Sequence, residues 1–135
     1  VGAGFDEPDV DGALIDLEAA GLVEDARFAF ELVRHQAGRR LAGDRAIREA
    51  LRAKGVSPDV VEEAVQAAGD EAARAFELAE RRARRLSHLP PESAYRRLLG
   101  LLTRRGYPFE IAREACESAL REAMARVPDE ESPSD

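Results

Sequence analysis

The sequence predicts an all-α protein: tandem three-helix repeats, about seven helices in all, stacked into an elongated array whose first repeat is incomplete. Three observations carry that reading. Across 135 residues only 5% are aromatic and Trp is absent, while Ala, Leu, Arg and Glu dominate. That composition favours helices with small-residue interfaces over a β-sandwich. The pairs Gly4-Phe5, Gly55-Val56 and Gly106-Tyr107 recur at 51-residue intervals. Each pair is followed by an apolar stripe at i, i+3, i+4, i+7: Val10, Ala13, Leu14, Leu17; Val61, Ala64, Val65, Ala68; and Ala112, Ala115, Cys116, Ala119. Such spacing is one face of a helix. No segment has the alternation of a strand.

The elements follow in order. A first helix is expected over 8–20, ended by Gly21 as a C′ residue. Asp25 is placed to N-cap a second, through about Gln36, with Phe28, Ala29, Leu32 and Val33 inward. Gly38 and Gly43 punctuate the link to a third over 44–54, facing the core with Ile47, Ala50 and Leu51. Ser57 is placed to cap a fourth with Pro58 at its first position. Asp70 starts a fifth to about Leu86, with Ala72, Phe76, Ala79, Ala83 and Leu86 inward. Pro90 and Pro91 break the chain before a sixth over 92–105, showing Tyr95, Leu98, Leu99 and Leu102. A seventh runs from about Pro108 to Arg126. The expected division is 1–21 as the last helix of a truncated repeat, 22–69 and 70–127 as two three-helix repeats, and 128–135 as a disordered acidic tail. Each unit has few large apolar residues, so stacked neighbours are expected to complete the core.

The net charge of −7 hides a segregated pattern. Residues 1–25 hold eight acids and no Lys or Arg, and 128–135 hold four more acids. All 20 basic residues lie between Arg27 and Arg126, and 19 of them are Arg. The body is therefore basic between two acidic ends. Arginine is suited to carboxylates, phosphates and partner surfaces. The candidate partner-binding residues are Arg39, Arg40, Arg48, Arg52, Arg81, Arg84, Arg85, Arg96, Arg97, Arg104 and Arg105. Against this, Glu77–Arg81, Glu80–Arg84, Glu117–Arg121 and Glu122–Arg126 are favourable i, i+4 pairs, as on any solvated helix.

Catalysis finds little footing. His35 and His88 are the only histidines, and Cys116 lies on an apolar stripe, where it reads as core packing. No phosphate-loop, HExxH, GxSxG or CxxC spacing appears, so no enzyme, cofactor or metal site is expected. A helix-turn-helix reader of DNA is disfavoured because "SPDVVEEAV" carries no Arg, Asn or Gln for base edges. Nonspecific phosphate contact stays open. No apolar run approaches the roughly 18 residues of a membrane span. A lone cysteine fits a reducing cytoplasm. The chain begins at Val1 without an initiator Met, which makes it a candidate fragment.

The segments "GLVEDARFAFELVR", "REALRAKGVSPDVVEEAV" and "LLTRRGYPFEIAREACESAL" resemble the bacterial regulatory protein RecX family. The elements that carry the likeness are Glu24, Asp25, Phe28 and Ala29; then the turn Leu51, Lys54, Gly55, Val56; then its counterpart from Arg104 to Tyr107. It covers about residues 4–122. The resemblance implies tandem three-helix repeats and a non-catalytic role in DNA repair. It implies binding in the groove of the RecA recombinase filament, with inhibition of its ATPase, strand exchange and co-protease activities. Family proteins usually have a complete first repeat, whereas this chain starts before that repeat's last helix. Pro108 also stands where Ser57 caps the equivalent helix, so the last helix is expected to start with a weaker cap. The resemblance brings across no catalytic residue. The alternative is a nonspecific nucleic-acid-binding helical module; in either case a monomer is expected.

Overall fold

The computed structural model describes residue 21 and residues 24–131, with side chains to 126. The helix expected over 8–20 and the Gly4-Phe5 pair lie outside the described residues. Six helices follow. They are α1 (24–33, continuing as a π turn over Arg34–Arg39), α2 (Asp44–Ala53), α3 (Pro58–Gln66), α4 (Glu71–Leu86), α5 (Pro91–Arg104) and α6 (Phe109–Glu131). There is no strand among the described residues. Helices α1–α3 form one three-helix repeat and α4–α6 the next, so the expected all-α tandem architecture is borne out.

Both repeats turn from second to third helix in the same way. Val56 N–H donates to the Leu51 carbonyl at 3.2 Å and Gly55 N–H to Arg52 at 2.9 Å. In the second repeat Tyr107 donates to Leu102 at 3.2 Å and Gly106 to Thr103 at 3.1 Å. These crossed bonds are Schellman motifs. They need a left-handed residue, supplied by Gly55 (φ 82°) and Gly106 (φ 99°). The apolar residue after each glycine, Val56 or Tyr107, is buried, as are Leu51 and Leu102 at the start of each turn. This is the physical content of the 51-residue recurrence.

Each repeat has its own core. In the first, Ala29, Val33, Ala37, Ala42, Ile47, Leu51, Val56, Val60, Val61, Ala64 and Val65 pack together. In the second, Ala75, Leu78, Ala79, Ala83, Leu98, Leu102, Tyr107 and the α6 stripe do so. Burying one Leu or Ile such as Leu51 or Ile47 contributes about 1.5–3 kcal/mol. Stacked neighbours were expected to complete each core, and across the boundary Leu41 of the first repeat enters the second cluster.

Several local expectations shift. Glu24 and Asp25 are already helical, so Asp25 lies inside α1 and does not cap it. The helix runs past Gln36 to Arg39, taking Gly38 into the π turn. Its inward face is Ala29, Val33 and Ala37, and Phe28 at its flank is 40% exposed. Ser57 holds the N-cap position of α3 without a side-chain capping bond. Asp70 does cap α4, accepting from Ala72 N–H at 3.0 Å and Ala73 N–H at 3.4 Å. On α4 the buried residues are Arg74, Ala75, Leu78, Ala79 and Ala83, while Ala72 is exposed. Helix α6 extends to Glu131, five residues beyond its expected end.

Candidate functional site: an arginine groove on the second repeat

Helices α4 and α5 leave a groove of ≈ 430 Å³ between their outer faces. Arg82, Arg85, Arg96, Arg97 and Arg104 line it over a floor of Leu86, Leu98 and Leu101. No acid is among the lining residues. The spacing explains the convergence. Arg82 and Arg85 are one turn apart on α4; Arg97 and Arg104 are two turns apart on α5. Gly100 lies one turn before Arg104, and a Cβ there would sit 3.2 Å from the Arg104 guanidinium. Its lack of a side chain lets Arg104 lie back over α5.

The positive field continues toward the first repeat. Arg105 donates to the Arg40 carbonyl across the repeat boundary. Burial holds its guanidinium below the ordinary arginine range, and the like charges of Arg40 and Arg82 add to that. Among the described residues, no ion pair engages Arg40, Arg82, Arg85, Arg96, Arg97, Arg104 or Arg105. Uncompensated like charges on low-dielectric walls raise the local concentration of anions. The chemistry available is therefore recognition of carboxylates or phosphates.

The predicted arginines divide. Arg40, Arg85, Arg96, Arg97, Arg104 and Arg105 belong to this strip. Arg48 is instead paired with Glu62 at 2.9 Å, which raises its pKa and lowers that of Glu62 through their hydrogen bond. Arg81 pairs with Glu77 at 2.5 Å on the solvated side of α4. Arg39, Arg52 and Arg84 are exposed and line no part of the groove. Sequence reasoning left out Arg82, although its i+3 spacing to Arg85 was visible. Of the anticipated helix pairs, Glu122–Arg126 forms at 4.0 Å, whereas Glu117 pairs with Arg113 at 3.3 Å.

Cys116 is wholly buried, and burial pushes its thiol up to about 12, which favours the neutral form. No cluster of metal-ligating side chains occurs among the described residues. No described helix is long and apolar enough to cross a membrane.

Fold and groove together define a class: a tandem three-helix repeat protein whose second repeat presents a groove lined by five arginines and no acid. The family can then be stated. The model of the RecX second three-helix domain matches residues 25–65, and that of the RecX third three-helix domain matches 69–116. The "Regulatory protein RecX" of Amycolatopsis mediterranei is 39% identical over 124 residues, covering 88% of this chain and 69% of that protein. The same-named proteins of Corynebacterium efficiens and Mycobacterium ulcerans are 34% and 36% identical over 87% and 90% of this chain. Those alignments span 61% and 70% of the two relatives. The chain belongs to the RecX family of regulatory proteins. No solved structure matches it.

Proposed function

We propose that the protein regulates the RecA recombinase by binding its filament, inhibiting ATPase, strand exchange and co-protease activities without chemistry of its own. Family membership supports the regulatory role. The observation that carries the mode of action is the groove with five arginines and no acid between α4 and α5. The two repeats bridge neighbouring filament subunits, and the arginine strip contacts acidic protein surface or DNA phosphate held in the filament. The protein acts as a monomer in the cytoplasm.

The test is recombinase ATPase on single-stranded DNA, titrated with this protein. Reversing charge at Arg82, Arg85 and Arg97 together is expected to raise the inhibitory concentration at least about tenfold, equivalent to about 1.4 kcal/mol of binding. The helical circular-dichroism signal stays unchanged, since all three lie outside both cores. Undiminished inhibition by the folded triple variant would sink the assignment of the groove. A second reading, a nonspecific nucleic-acid binder, is favoured by the same unpaired arginines. It predicts a gel shift without any recombinase, weakening steeply as salt rises.

A further inference from the structure

The link between α1 and α2 bonds back to its own helix, through Arg40 N–H to His35 and Ala42 N–H to Gln36, and is also held from the other repeat. Three successive carbonyls are taken by side chains of the second repeat: Arg40 by the Arg105 guanidinium, Leu41 by the Tyr107 hydroxyl, and Ala42 by Arg74 Nε at 3.0 Å. The next two amides are taken as well. Gly43 N–H donates to the Arg105 carbonyl at 2.8 Å, and Asp44 N–H to Glu71 Oε2 at 2.8 Å. Five consecutive residues thus have a backbone group answered across the boundary. Leu41 is held at φ 53°, a conformation unfavourable for a side chain of its bulk, and its side chain enters the second core.

Arg74 ties this link to both sides. It is 7% exposed, and its remaining donors reach Asp44 Oδ1 at 2.5 Å and the Ala68 and Gly69 carbonyls at 2.9 and 3.1 Å. A planar fork that serves four acceptors admits one arrangement of them. Backbone contact closes the joint. A Cβ at Gly43 would lie 2.6 Å from Gly106 carbonyl atoms and 2.8 Å from Tyr107 N. One at Gly106 would lie 2.6 Å from Ala46.

We infer that this joint locks the two repeats into one rigid body, with Arg74 as the positioning residue. It thereby fixes the arginine strip across Arg40, Arg105, Arg82 and Arg104 as a single surface. The unfavourable Leu41 conformation persists because the second repeat's donors and core over-determine it. The last step, that inhibition requires the fixed orientation, rests on the proposed function; the locking itself does not.

Gly43→Ala is the sharper variant. Gly43 sits at φ −80° and ψ 167°, which alanine adopts freely, so the substitution acts only as a wedge between backbones. Arg74→Met removes the fork. Spin labels at Glu63→Cys on α3 and Glu114→Cys on α6, both exposed, report the distance between repeats; the buried Cys116 stays unlabelled. The otherwise unmodified chain is expected to give one narrow distance. Both variants broaden it and speed hydrogen exchange of the residue 43 and Asp44 amides about tenfold or more, while amides within α3 and α5 stay protected. A narrow distance and slow exchange in folded variants overturns the locking. A broadened joint with undiminished recombinase inhibition overturns the requirement for fixed orientation. If the unmodified chain shows no inhibition at all, the functional reading fails and the joint stands.

Discussion

The two repeats use one turn for different ends. In the first, Gly55 is exposed and a Cβ placed there would meet nothing within 4 Å. In the second, Gly106 is buried against Ala46 of the preceding repeat. The following residue differs accordingly. Val56 only fills its own core, whereas Tyr107 fills its core and reaches the Leu41 carbonyl. The backbone motif is thus a local solution to ending a helix, and the side chain after the glycine decides whether the turn also holds a neighbour. Local periodicity and repeat assembly are separable properties of the same four residues.

Alanine at the two glycines breaks the comparison most directly. Gly55→Ala carries only the left-handed backbone cost, about 1 kcal/mol. Gly106→Ala adds a 2.6 Å contact with backbone that must move, and is expected to cost about 3 kcal/mol in all. Urea midpoints of the two variants, with matched slopes, measure the difference. Equal losses would mean that the Gly106 turn bears no more on its neighbour than the Gly55 turn does.

Tyr107→Phe keeps the ring and deletes only the bond across the boundary. A buried carbonyl left without its donor is expected to cost about 1–2 kcal/mol. The hydroxyl also sets a pH dependence. Burial pushes it up to about 12, from an ordinary 10, with Arg74 acting in the opposite sense. A group that ionises more readily when unfolded withdraws stability as pH rises between its two pKa values. Stability should therefore fall from about pH 10 upward on account of Tyr107, and already from about pH 9 through Cys116. The Phe variant removes the first contribution, and Cys116→Ala the second, in urea titrations from pH 7 to 11.

The turns and the Cys116 stripe were legible in the sequence because glycine at a left-handed position and i, i+3, i+4 spacing are local properties. The joint was not. Arg74 looked like one more arginine in a basic body, and only its phase, one residue before Ala75 and four before Leu78, hinted that it points inward. Its four acceptors come from residues 5 to 32 positions away, which no window along the chain brings together. The groove was half legible. Arg96, Arg97 and Arg104 sit together on one helix, but the exclusion of Arg81 depended on Glu77 claiming it. Composition identifies a basic face; only the relative rotation of α4 and α5 says which arginines share it.

The smallest contrast concerns how third and first helices begin. Ser57 and Pro108 occupy the same place after their glycines, and proline was expected to give the weaker start. Ser57 makes no side-chain capping bond, so the two starts rest on the same backbone bonds: Val61 N–H to Ser57 and Ala112 N–H to Pro108, each at 2.9 Å. Asp70, by contrast, takes two amides of α4. Asp70→Ala is therefore expected to cost about 1 kcal/mol, the usual worth of a cap, and Ser57→Ala no more than a few tenths. A Ser57→Ala loss as large as that of Asp70→Ala would show the hydroxyl capping α3 in solution, and the two repeats would then differ at their third helices as they do at their turns.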